Sequence, residues 1–258
     1  MDIIIEFLTG GTPLNLVSFS SLCITSFFAS LIATSIGLGG GLLVLATMTL
    51  VLPPAVLIPI HGLVQIGSNG FRAWLLRKKI LFSIVPAFIL GSLMGAVLGG
   101  FLHFGIQTWV LQLILGVFVL YATWSPGFKS SRPGPLRFLC AGLFSGLVTM
   151  FVGATGPLVA PFVKAACDEK QQVVSTHAML MTFQHGFKVL AFGVLGFSFG
   201  SYIPLLVGLI GFGMLGTLVG RMVLKKLPEN IFRTIFQIVI TSLAIRLLYS
   251  AAASFFEF

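Results

Sequence analysis

Gly37-Leu38-Gly39-Gly40-Gly41-Leu42 interrupts one long apolar run, and Gly153-Ala154-Thr155-Gly156-Pro157-Leu158 interrupts another 116 positions later. The same offset brings His61 onto His177, Gly70 onto Gly186, Phe71 onto Phe187 and Arg72 onto Lys188, without a gap. Glycine, histidine and basic residues rarely coincide by chance in apolar sequence, so the chain reads as a duplication. Ionisable groups held inside apolar repeats of this kind mark a membrane transporter built from two related halves.

Composition agrees. The 258 residues are 57% apolar and only 8% charged, with a mean hydropathy of +1.09, which excludes a soluble globule. The formal charge of +9 does not point to nucleic acid, because the basic residues stand in short runs between apolar stretches, where they set topology and meet anionic lipid. Cys23, Cys140 and Cys167 show no CxxC spacing and read as reduced packing residues. The acidic start MDIIIEFLTGG has no basic segment before its apolar stretch, so the first helix is expected to stay rather than be cleaved.

A helix needs roughly 20 apolar residues to cross a bilayer. Full-length candidates fall at residues 14–36, 56–76, 80–103, 107–124, 136–152, 173–193, 202–224 and 230–250. Two further segments, 42–52 after the first break and 157–166 after the second, are too short to cross at about 1.5 Å per residue. The expected fold is therefore all-α: a polytopic helical membrane protein with an internal repeat and two short broken helices. The first repeat is expected over 1–124, a cytoplasmic linker rich in Pro, Gly and Ser over 125–135, and the second repeat over 136–258. Arg77-Lys78-Lys79, the Lys129/Arg132/Arg137 cluster and the Arg221/Lys225/Lys226/Arg233 cluster should face the cytoplasm, whereas the loops near Gly105 and Ser198–Ser201 carry no Lys or Arg. This favours inverted halves of five segments each, with both termini outside and with Lys188 and Arg246 towards the positive-poor side. If the short segments re-enter instead, each half has four crossings and the repeats are parallel.

Irregular backbone at membrane depth is tolerated only where protein or a water-filled cavity covers its polar groups. Each glycine break frees N–H groups at a helix start, and with the positive end of the helix dipole these make an anion site. Pro157 suits a first helical turn, where its missing N–H costs nothing. Ser35, Gly39, Gly40 and Gly41 are the candidates at the first break, and Thr155, Gly156 and Pro157 at the second. A glycine kink for close packing is the plainer alternative, weakened by the pairing of the two breaks. Downstream, His61, Gln65, Ser68, Asn69 and Arg72 fall at i, i+4, i+7, i+8 and i+11, one polar stripe of a helix. The second half answers with His177, Gln184, His185 and Lys188, with Met181 in place of Gln65. Such groups are costly in lipid and should face a pathway; for Arg72 and Lys188 the alternative is snorkelling to a membrane surface. Gly91, Gly95 and Gly99, and Gly208, Gly216 and Gly220, read as helix-packing glycines.

These residues resemble the TauE/SafE sulfite exporter family of membrane transporters. The resemblance rests on Thr34-Ser-Ile-Gly-Leu-Gly-Gly-Gly-Leu-Leu43, its echo Gly153–Leu158, the downstream His and Asn with Gly-Phe-Arg, and the length of the chain, and it covers essentially all of it. It implies a duplicated helical fold, often counted as about eight spans, and secondary transport of small anions such as sulfite, sulfoacetate or other organosulfur compounds, with export as the suggested direction. The sequence departs from the commoner pattern in having Val44-Leu-Ala46 where a proline soon follows the first break, which leaves the substrate open. The reading is a non-enzymatic, multi-pass transporter of the bacterial cytoplasmic (inner) membrane, with a small anion and the lipid bilayer as partners and no nucleic acid. No cofactor is expected, and a homodimer is compatible. His61, His177 or His185 would take the coupling proton, since an ordinary imidazole titrates near neutral pH. A transition-metal permease using the three histidines is the alternative within the class. An intramembrane enzyme or assembly factor is the alternative outside it, and no nucleophile, zinc or nucleotide motif supports it.

Overall fold

The computed structural model describes residues 14–36, 40–103, 106–124, 132–223 and 229–256. Gly39 of the first break and most of the expected linker, 125–131, lie outside them, as do Lys129, Lys225 and Lys226. The described chain is helical throughout: α1 (Leu16–Ile36), α2 (Gly40–Met48), α3 (Pro54–Leu75), α4 (Val85–His103), α5 (Thr108–Trp124), α6 (Pro135–Val152), α7 (Gly156–Ala166), α8 (Lys170–Val194), α9 (Ile203–Val223) and α10 (Glu229–Phe256). Short 3₁₀ turns stand before α4 and α9. Their boundaries follow from local chemistry. Asn15 caps α1 by accepting the Ser18 N–H at 2.8 Å. Proline opens α3 and α6 and sits in the first turn of α7. Gly153 ends α6 at φ +74°, a left-handed conformation that glycine adopts without a Cβ penalty.

By length and hydropathy, α1, α4 (with its leading turn), α6 and α9 (with its leading turn) are candidate membrane spans. These are the first and fourth helices of each half. The third helices, α3 and α8, are longer than most yet too polar to qualify, because they carry the His/Gln/Arg and His/Gln/Lys stripes inward. The short helices begin at Gly40 and Gly156 rather than at 42 and 157, and the last helix runs on to Phe256, beyond the expected 250.

The two short segments are the return legs of the chain. Gly40 packs against Ala29 and Ala33 of α1, so the chain has doubled back beside α1 by the time α2 starts. Ser30 hydrogen-bonds Ser68 at 2.8 Å, and the Arg72 Nε donates to Thr34 Oγ1 at 2.9 Å. The two rungs share one offset, so α1 and α3 run parallel and the segment between them crosses the other way. Corresponding helices of the two halves pack antiparallel. Gly62 of α3 faces Lys188 and Val189 of α8 while Gly70 faces Thr182; Gln112 of α5 bonds Ser250 of α10 at 3.3 Å while Trp124 bonds Thr241 at 2.9 Å. Antiparallel mates are what an inverted duplication requires and what a parallel one forbids.

The remaining long helices exchange partners between halves. The packing-glycine expectation holds: a Cβ at Gly91 or Gly95 of α4 would stand 2.0 or 2.1 Å from a backbone oxygen of α6, and one at Gly216 of α9 would stand 2.0 Å from Phe27 O of α1. At the Arg77–Lys79 end, Lys79 pairs with Glu169 at 2.8 Å and Arg132 with Asp168. The packing role expected of the cysteines fails in part: all three are free and Cys23 is buried, but Cys140 of α6 is exposed.

Cysteine labelling checks this topology. Single cysteines at Lys78 and Ser198, both exposed and in turns at opposite ends of the helices, are expected to react from opposite sides of the membrane in a background lacking the native cysteines. Reaction of both from one side would restore the parallel arrangement.

Candidate functional site

The first turns of α2 and α7 meet α1, α3 and α8 around a cavity of about 40 Å³ within the bundle. By water-sized measure that is room for roughly three waters, or for one small oxyanion. Eleven of the sixteen expected residues line it. Gly40 and Gly41 come from α2, and His61, Gln65, Ser68, Asn69 and Arg72 from α3. Gly156 and Pro157 come from α7, and His177 and His185 from α8. The stripe spacing explains this: on α3 one face carries every polar side chain, and that face is turned to the breaks.

Of the other five, Gly39 lies outside the described residues and four stand behind the wall. Ser35 is buried and donates to Gly220 O of α9 at 3.2 Å. Thr155 donates to Ser145 O at 3.3 Å instead of capping α7, which leaves the helix start uncapped by any side chain. Gln184 accepts from Ser145 Oγ at 2.9 Å and donates to Thr155, so it braces the second break. Lys188 is fully buried and reaches Gly153 O at 2.7 Å. The residues that line the cavity without having been placed in the site by sequence reasoning include Ser26 and Ser30 of α1 and Met181 of α8. Thr34, two turns beyond Ser26, completes a polar stripe on α1 and holds Arg72.

Neither basic residue snorkels. Arg72 is 5% exposed, and its guanidinium donates to Thr34 Oγ1 at 2.9 Å, Asn69 Oδ1 at 3.0 Å and Ser68 Oγ at 3.2 Å. Asn69 in turn donates to Gln65 Oε1 at 2.9 Å, so Gln65, Ser68, Asn69 and Arg72 form one hydrogen-bonded unit. All of these partners are neutral. The chain has six acidic residues: Asp2, Glu6, Asp168, Glu169, Glu229 and Glu257. Asp168 and Glu169 are engaged with Arg132 and Lys79, and none of the six belongs to α1–α9. A buried cation without a counter-charge is strongly unfavourable, and the partners of Arg72 offer it none.

His61 joins the two breaks. Its Nε2 is 2.9 Å from Gly41 O and its Nδ1 is 3.2 Å from Gly153 O. A neutral imidazole donates through one nitrogen only, whereas a protonated ring donates through both. The charge state of this ring therefore decides whether it ties one break or both. His177 Nε2 lies 3.1 Å from Gly156 O, and His185, edge-on to His61 at 5.7 Å between ring centroids, keeps a buried Nδ1 without a partner.

The geometry also separates the break glycines. A Cβ at Gly40 would stand 2.1 Å from Ala29 O, so that position is closed by helix packing and not by the ligand space. At Gly156 the nearest atoms are His177 Cε1 and Nε2, at 3.3 and 3.4 Å. Gly156→Ala is expected to leave the protein folded while pushing the imidazole off its carbonyl, lowering transport by about tenfold. Gly186→Ala, with open space around it, serves as the control and should transport normally.

A family model described as Sulfite exporter TauE/SafE matches residues 22–247 of the chain. Comparison with curated proteins and with solved structures gave no match.

Proposed function

Because this chain belongs to the sulfite exporter TauE/SafE family, we propose that it moves a small anion, such as sulfite, sulfoacetate or another organosulfur compound, outward across the bacterial cytoplasmic membrane, as a proton-coupled secondary transporter. The family is one of membrane transporters, and the apolar helices make this chain a multi-pass member. The observation that carries the choice of an anion is the burial of Arg72 and Lys188 beside one cavity, in helices that contain no carboxylate. Backbone N–H groups at the starts of α2 and α7 add donors, and Arg72 supplies the charge in direct reach of the cavity. Lys188 acts from behind, through its field and through its hold on Gly153.

Proton coupling rests on His61. Protonation would draw the Gly41 and Gly153 carbonyls to one ring and lock the two breaks together, and loss of the proton would release one of them. In this reading residues 1–124 and 136–258 are the two repeats that rock about the site, and 125–135 is the cytoplasmic connection. The cavity volume fits an anion of a few heavy atoms; a longer organosulfur compound requires the breaks to part. Nothing favours a metal permease: among the described residues no three His, Cys, Asp or Glu side chains are grouped to hold one ion.

A thermal-shift screen of the purified protein tests the proposal. A ligand that binds only the folded state adds about 2.7 kcal/mol of stability at a hundred times its Kd. Sulfite should raise the melting temperature, and chloride at equal ionic strength should not. Stabilisation by a divalent metal ion with none by any oxyanion would refute an anion site.

A further inference from the structure

A second cavity, of about 260 Å³, opens at the far end of α2. It is walled by Thr49 and Pro53 of the α2–α3 turn, by Gln112 of α5, and by Arg246 and Ser250 of α10. The first turn of α2 lines the central cavity and the residues just past its last turn line this one, so the two are separated by a nine-residue helix, about 13 Å at 1.5 Å per residue. The outer cavity lies at the end of the bundle opposite Arg77–Lys79, where positively charged residues are disfavoured by topology. Arg246 nevertheless stands there. It is exposed and, among the described residues, forms no hydrogen bond or ion pair. Gln112 donates to Ser250 Oγ at 3.3 Å and leaves its own Oε1 buried without a partner. Half a turn of that amide exchanges the roles: Ser250 then donates to Oε1, and Nε2 becomes a free donor. The group that satisfies a free guanidinium together with a free amide N–H is an acceptor bearing negative charge.

We propose that this outer cavity is a second anion site, in which Arg246 holds an oxyanion by two adjacent oxygens and Gln112 supplies a further N–H. The ligand chemistry is a sulfite- or phosphate-type oxyanion, either free in solution or carried on a lipid headgroup. Its role as a waiting position on the transport path rests on the anion-transport reading; the binding itself does not.

Calorimetric titration of sulfite into the full-length protein in phosphatidylcholine nanodiscs tests it. The wild type should show two binding steps. Arg246→Gln should weaken one of them at least about tenfold and leave the other, while Arg72→Gln does the converse and Arg246→Lys retains part of the outer step. A repeat with phosphatidylglycerol in the disc separates the sources: suppression of the outer step assigns the site to a lipid phosphate, and an unchanged step assigns it to the free anion. An Arg246→Gln variant that titrates like the wild type overturns the proposal, whether the wild type shows one step or two. Loss of the outer step in Arg246→Gln alongside an unaffected Arg72→Gln would keep this site and remove the central one.

Discussion

Arg72→Gln is expected to weaken sulfite binding at the central cavity by roughly ten- to a hundredfold, the equivalent of the about 1.5–3 kcal/mol of a charge-assisted hydrogen bond. The guanidinium is the one permanently charged group on the cavity wall, and glutamine keeps a donor while removing the charge. Arg72→Lys should recover only part of the affinity. Thr34, Asn69 and Ser68 each take a separate N–H from the planar fork, and an ammonium cannot address all three while facing the ligand. Lys188→Gln should cost less in affinity than Arg72→Gln, because Lys188 does not line the cavity and spends its one hydrogen bond on Gly153 O. Titration of the purified variants reads this order directly. Unchanged affinity in both glutamine variants would move the anion to the backbone N–H groups of α2 and α7 alone.

Gly216→Val should have the largest effect on folding. Even the first carbon of a side chain would stand 2.0 Å from Phe27 O and 2.8 Å from Phe27 C, and the obstacle is backbone, which cannot swing aside. Overpacking of this kind costs about 1–3 kcal/mol when side chains can yield, and here α9 must separate from α1 along its length. Ser26 would then lose its 2.7 Å bond to Leu209 O, and Ser35 its bond to Gly220 O. The expected result is a strong loss of folded protein, read as melting temperature and yield in detergent. Gly211→Val, on the same helix with nothing within 4 Å, should fold normally. Equal stability of the two variants would show that close crossing of α1 and α9 is unimportant.

The central cavity was legible in sequence to the extent that its residues are chemically rare in apolar helices. His61, Asn69 and Arg72 stand out on α3, and their offset onto His177, His185 and Lys188 marks the second half. Ser26 and Ser30 were not legible in the same way, since a serine in an apolar helix often satisfies itself on a carbonyl one turn back. Thr34 does so, donating to Ser30 O at 2.8 Å while accepting from Arg72. Their repeat at every fourth position was the available signal. Lys188 illustrates the opposite limit. Its composition and depth indicated a charge in the membrane, but its partner is a main-chain oxygen freed by the turn at Gly153, and only the tertiary fold brings that oxygen to it. The orientation of the halves likewise hung on whether residues 42–52 cross or re-enter, which depends on the Ser30–Ser68 and Thr34–Arg72 rungs between α1 and α3 rather than on hydropathy.

Flux of labelled sulfite through proteoliposomes of the full-length chain tests the central claim most directly. The account predicts flux above that of empty liposomes, enhanced by an opposing pH gradient, reduced in Arg72→Gln, and unmatched by any flux of zinc or another divalent metal. Metal flux through the wild-type protein, with sulfite no faster than in empty liposomes, would contradict it.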